Sequence, residues 1–97
     1  MMSYKPKVSI IIPTYNRSYY LIKIVKKIIL SKIPNEIIIC DSRSVDQTKD
    51  KIRKLKFDHK NHIIKYIDIF ENSNAKKRNI GIKNSSSEYI IFLDDDC

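Results

Sequence analysis

Four short apolar runs govern what this chain can fold into. They lie at 8–12, 36–40, 62–70 and 89–93, are rich in isoleucine and aromatic residues, and are each too short for a buried helix. An apolar stretch that hardly alternates suits a strand covered on both faces, as in a parallel sheet. Residues 8–12 read as the first strand, stopped by Pro13. Residues 36–40 read as the second, centred on Ile37, Ile38 and Ile39 and ending at Asp41. The run at 62–70 mixes Ile63, Ile64, Tyr66, Ile67 and Ile69 with Lys65 and Asp68, which suits a third strand near a sheet edge. The fourth leads straight into Asp94, Asp95 and Asp96.

Helical spacing fills the intervals. Over 18–30, Leu21, Ile22, Val25, Ile28 and Ile29 recur on one side, with Lys23, Lys26 and Lys27 on the other. Ser44 and Gln47 fit a capping box that would start a second helix, with Val45, Ile52 and Leu55 forming its apolar stripe. Residues 74–83 read as a third helix carrying Arg78 and Asn79, interrupted or terminated by Gly81, before a polar loop at 85–87. The order β-α-β-α-β-α-β predicts an α/β fold, a Rossmann-like parallel sheet with helices on both faces, because parallel neighbours need crossover connections. With 97 residues and 42% hydrophobic content, residues 1–97 make one domain or half-domain.

The net charge of +8 favours anionic partners without choosing among them. The lysines are scattered along the chain, and no aromatic-basic signature of specific nucleic-acid binding accompanies them. Only Cys40 and Cys97 could pair, residues 1–7 are polar and read as no secretory leader, and no run approaches the roughly 18 apolar residues of a membrane span. These features predict a reduced, cytoplasmic setting, the cytoplasmic face of a membrane included. Gly81 is the only glycine, so neither a dinucleotide-binding glycine turn nor a P-loop is present.

In open parallel sheets ligands bind beyond the carboxyl ends of the strands, here 13–17, 41–46 and 94–96. Crowded like charges persist where a cation or ligand donors offset them, and carboxylate oxygens suit Mg²⁺ or Mn²⁺, through which a diphosphate can be held. An extended chain would point Asp94 and Asp96 to one face and Asp95 to the other. A solvated acidic tail is the alternative.

The segments Val8-Ser9-Ile10-Ile11-Ile12-Pro13-Thr14-Tyr15-Asn16-Arg17, Glu36-Ile37-Ile38-Ile39-Cys40-Asp41, Arg78-Asn79-Ile80-Gly81-Ile82 and Glu88-Tyr89-Ile90-Ile91-Phe92-Leu93-Asp94-Asp95-Asp96 together resemble the amino-terminal half of a family 2 glycosyltransferase of GT-A fold. The resemblance implies a nucleotide-diphosphate sugar, a UDP-sugar being favoured, with Mg²⁺ or Mn²⁺ and a glycan or lipid acceptor. It also implies that Pro13, Thr14 and Tyr15 pack on base and ribose, with Arg17 closing that block. Asp41 corresponds to a base-binding acid, although its place before a helix equally suits a cap. Arg78 corresponds to an arginine near the nucleotide, a solvated helix-face arginine being the alternative. Asp94 corresponds to a ribose or metal contact, Asp96 to the metal ligand, and Asp95 could share either role.

Two departures qualify the match. Asp41-Ser42-Arg43-Ser44 lacks the second acid and the glycine common after the base-binding acid, and the glycines common before the Arg-Asn block are also absent, although Asn74 tolerates the left-handed backbone that glycine would supply. The family's general base lies downstream of the acidic run, so no catalytic base is expected before Cys97 and this chain, a truncated GT-A domain, should bind donor better than it transfers sugar. The fourth strand should be central, beside the first, so truncation would leave an open edge that favours self-association or a partner chain. The competing readings are a non-catalytic nucleotide- or partner-binding remnant, and a receiver-like Mg²⁺ domain, which explains 13–17 poorly.

Overall fold

A computed structural model describes residues 6–94 of the chain. Strands β1 (Val8–Thr14), β2 (Asn35–Asp41), β3 (Ile63–Asp68) and β4 (Tyr89–Phe92) alternate with helices α1 (Ser18–Ile29), α2 (Thr48–Asp58) and α3 (Asn74–Lys83). The sheet order is β3-β2-β1-β4, and every pairing is parallel. The chain thus steps outward from β1 to β2 to β3, then returns through α3 to the far side of β1. Strand order reverses between β1 and β4.

Alternate strand residues face opposite layers. Ile12, Ile37, Ile39 and Ile64 pack with Leu21 and Val25 of α1 and Ile52 and Leu55 of α2. Ile11, Ile38, Cys40 and Ile69 form the other layer, which Ile80 of α3 covers. Helices therefore lie on both faces, as expected, and the isoleucine runs are continuous because β2 is buried along its whole length. β3 is an edge strand, as its mixed composition predicted. β4 adjoins β1 as expected, but within the described residues it is an edge, with Tyr89, Ile91 and Phe92 exposed. No helix among the described residues is long and apolar enough to cross a membrane.

Four local expectations need correction. Pro13 does not stop β1, which runs on to Thr14, paired with Asp41. The Ile11 carbonyl accepts from Leu93 on the β4 side, whereas the Thr14 carbonyl accepts from Ser42 on the β2 side. By alternation the Pro13 nitrogen faces the β4 side, beyond the Ile11–Phe92 end of that ladder, so its missing N–H breaks no bond to β4. Ser44 and Gln47 form no capping box, because α2 begins at Thr48, Gln47 is left-handed (φ 70°) and Ser44 is bonded elsewhere; Val45 is 85% exposed and leaves the predicted stripe. Asn74 is the first residue of α3, behind a Ser73 cap, and the left-handed positions are Asn16, Arg43 and Gln47.

Gly81 neither interrupts nor ends α3. It is buried inside the helix where α3 meets β1, and a Cβ there would stand 2.5 Å from Ile11 Cγ2. Its absence of side chain sets the helix-to-sheet distance. Gly81→Ala should therefore destabilise the fold by about 1–2 kcal/mol, overpacking outweighing the gain of about 1 kcal/mol in helix propensity. Urea denaturation checks this, with Gly81→Ala/Ile11→Ala losing less than the sum of the single variants.

At the amino end of the sheet, buried Glu36 accepts from Ser9 Oγ (2.9 Å), Ser86 N–H (2.8 Å) and Ser86 Oγ (2.6 Å), with Lys65 Nζ at 3.7 Å. Burial alone would raise its pKa, but the Ser86 and Ser9 hydrogen bonds and Lys65 together lower it. The carboxylate anchors the α3–β4 loop. A depressed folded pKa means stability that is full above the ordinary glutamate value of about 4.3 and lost as pH falls through the folded value. Urea midpoints measured from about pH 6 to 3 should fall less steeply in Glu36→Gln than in the parent chain.

Candidate functional site

The reversal of strand order opens a crevice at the carboxyl ends of β1 and β4, where such sheets bind ligands. A cleft of about 260 Å³ lies there. β1 and the turn after it contribute Pro13, Thr14, Tyr15 and Arg17; the β3–α3 connection and α3 contribute Asn72, Asn74 and Lys77; the residue run after β4 contributes Asp94. Tyr15 is 44% exposed, so its ring offers an open apolar face, and the Arg17 guanidinium sits 5.0 Å from the Tyr20 ring.

The walls are held by bonds between loops. Asn16, left-handed at φ 51°, donates its N–H to Ser44 Oγ (2.7 Å), and its Oδ1 accepts from Val45 N–H (2.8 Å). Asp46 accepts from Ser18 N–H (2.9 Å), the first residue of α1, and from the Thr48 hydroxyl. It thereby supplies the cap that Arg17, in the N-cap position, does not provide. Burial would raise the Asp46 pKa, yet the Thr48 and Ser18 bonds hold it below the usual carboxylate value.

Asp41 is wholly buried. Its carboxylate accepts from Ser44 N–H (3.3 Å), the Ser44 hydroxyl and the Tyr66 hydroxyl. It caps no helix, because Gln47 holds that position for α2. Instead it fixes the β2–α2 loop from below and stands outside the cleft lining. Burial and the bond to Asp41 push the Tyr66 phenol far above its ordinary pKa.

Lys77 is 2% exposed at the cleft floor, donating to the Thr14 carbonyl (3.2 Å) and to Asn72 Oδ1 (2.9 Å). Its charge is felt at Cys40, whose thiol burial pushes to about 11, Lys77 acting in the opposite direction. Sequence reading passed over Lys77 in favour of its neighbour. The signal was present: Lys77 precedes Gly81 by four residues, so both share the side of α3 that faces the sheet. Arg78 lies exposed, its guanidinium 5.7 Å from the Phe92 ring, and does not line the cleft.

Of the sequence candidates, Pro13, Thr14, Tyr15, Arg17 and Asp94 therefore meet in one cleft, while Asp41 and Arg78 lie outside its lining. Asp95 and Asp96 fall outside the described residues. Among the described residues no three His, Cys, Asp or Glu side chains gather as a metal site, and Asp94 is the carboxylate of the cleft. The exposed Asp94 carboxylate can give a single oxygen ligand to a hard cation, and of the two cationic side chains in the same lining Arg17 is exposed and Lys77 buried. The asparagines Asn72 and Asn74 add amide donors and acceptors.

Tyr66→Phe should cost about 1–2 kcal/mol by removing one donor from the buried Asp41 carboxylate, as urea denaturation would register. Alkaline absorbance titration should show a tyrosine ionising well above the ordinary phenol value of about 10 in the parent chain, and that late step should vanish in the variant.

Comparison with known proteins gives a consistent picture. The model of glycosyl transferase family 2 matches residues 9–97. The GalNAc(5)-diNAcBac-PP-undecaprenol beta-1,3-glucosyltransferase of Campylobacter jejuni is 39% identical over 97 residues, covering 94% of this chain and 30% of the relative. An uncharacterized glycosyltransferase of Rickettsia conorii is 38% identical over 93% of this chain and 15% of its own length. The chain thus spans less than a third of either relative. Among solved structures, residues 1–349 of TarS from S. aureus in complex with UDP superpose with a TM-score of 0.80 at 28% identity, covering 93% of this chain and 27% of that one. The mannosyltransferase PcManGT of Pyrobaculum calidifontis, solved with GDP-Man and Mn²⁺, shares the fold with a TM-score of 0.87 at 23% identity, over 97% of this chain and 28% of that one.

Proposed function

The chain belongs to glycosyl transferase family 2, and from that premise we propose that it binds the nucleotide-diphosphate sugar of a glycosyl transfer reaction in the β1/β4 cleft. The observation that carries the reading is the convergence of Tyr15, Arg17, Lys77 and Asp94 on one crevice at the strand reversal. Each supplies a different part of what such a donor needs. The Tyr15 ring suits a base or ribose face, and Lys77 and Arg17 suit the diphosphate. Asp94, with Asp96 beyond the described residues, suits a divalent metal, Mg²⁺ or Mn²⁺, which when bound would neutralise the leaving nucleotide diphosphate. The UDP complex of a 28% identical structure supports a uridine nucleotide.

Asp41 enters this reading in two capacities. Its bonds to Ser44 and Tyr66 shape the turn beside the cleft, and exchange of the Ser44 bond for a base N–H would let it read the nucleotide directly.

Isothermal calorimetry tests the reading on the 97-residue chain. UDP should bind in the presence of Mn²⁺, more weakly with EDTA, and at least about tenfold more weakly in Asp96→Ala. Lys77→Met should reduce affinity for UDP but leave uridine nearly unchanged, as expected if its charge serves phosphate. No binding of UDP or GDP with either metal would end the proposal.

A further inference from the structure

The charge that looks dispersed along the sequence is concentrated by the fold. Segments 18–30 and 48–60, which contain α1 and α2, carry nine Lys or Arg and two Asp, so this layer holds +7 of the chain's +8. All nine cations are exposed. Both helices cover the same sheet face, so their outer sides form one surface. Large apolar side chains of the two helices and of the end of α1 are exposed, Tyr19 by 64%, Phe57 by 69% and Leu30 by 81%, as is Ile33, 57% exposed in the connection from α1 to β2. Lys23 lies over Tyr19 and Lys60 over Phe57, at 5.1 and 4.6 Å from the ring centres. Beside α2 a groove of about 250 Å³ runs between Lys49, Arg53 and Lys56 above Ile52 and Tyr66.

We infer that the α1/α2 face docks on an anionic lipid bilayer, with lipid phosphates on the lysine rows and the exposed apolar side chains entering the headgroup boundary. Basic residues near an anionic surface add their attractions, and interleaved apolar side chains supply the contact that salt does not screen. A nucleic acid would use the charge but has little use for Leu30 and Ile33. Docked this way, the cleft stands beside the lipid surface, because Arg17, in its lining, leads directly into α1.

Vesicle flotation with the full chain tests this independently of nucleotide binding. Phosphatidylcholine vesicles with about 30% phosphatidylglycerol should capture the chain at about 0.1 M salt, and pure phosphatidylcholine should not. Lys49→Glu/Arg53→Glu/Lys56→Glu, checked for an unchanged circular dichroism spectrum, should lose at least about tenfold in binding. Lys76→Glu/Lys83→Glu, on the α3 face, should lose less than about threefold. Phe57→Ser should lower the fraction retained at about 0.5 M salt. Absence of binding to the anionic vesicles, equal losses in the two charge variants, or tighter binding to single-stranded RNA than to those vesicles would overturn the inference.

Discussion

This molecule is arranged around β1, which like β2 has a neighbour on each side and a helical layer on each face, and which among the described strands is the one that pairs with β4. Its side chains leave no room for adjustment: Ile11 and Ile12 are wholly buried, and Ile11 meets α3 at the one glycine in the chain. Packing at interior density makes that contact intolerant of a single added carbon. The strand order also reverses at β1, so the end of this strand becomes one wall of the cleft. Stability and site geometry consequently share the same few residues.

The polar scaffold works by a different principle from the core. Asp41, Asp46 and Glu36 are carboxylates removed wholly or partly from water, and each accepts from several donors, at least one of them from a distant segment. Burial penalises charge, whereas converging hydrogen bonds restore it, and the lowered pKa values of Asp46 and Glu36 show which effect wins there. Because Tyr66, Ser18 and Ser86 lie far from their acceptors in sequence, each carboxylate ties its own segment to a distant one. Asp41 and Asp46 serve the cleft end of the sheet, and Glu36 serves the opposite end.

Much of this was legible in the sequence. The isoleucine runs announced strands covered on both faces, and the Leu21 and Val25 spacing announced α1. The ordered blocks at 13–17 and 94–96 pointed to the crevice that the fold forms from Pro13, Tyr15, Arg17 and Asp94. Errors clustered where local signals competed with distant partners. Ser44 and Gln47 match a capping box in spacing, but Asp41 and Asn16 claim Ser44 first. Gly81 looks like a helix stop only until Ile11 is placed beneath it. Lys77 and Arg78 are adjacent and chemically similar, and only the orientation of α3 sends one to the cleft floor and the other to the outside.

The sequence by itself determined the alternation of strands and helices, since hydrophobic period and chain stiffness are local properties. It also determined family membership, because the order of the blocks that match the family needs no coordinates to be read. Tertiary structure alone decided which charges act together. It set Lys77 against Thr14 and Asn72, buried Asp41 under Ser44 and Tyr66, and gathered +7 of the net charge onto one helical layer. Those outcomes depend on which residues far apart in the chain become neighbours, and hydrogen bonding and Coulomb attraction act through space, not along sequence.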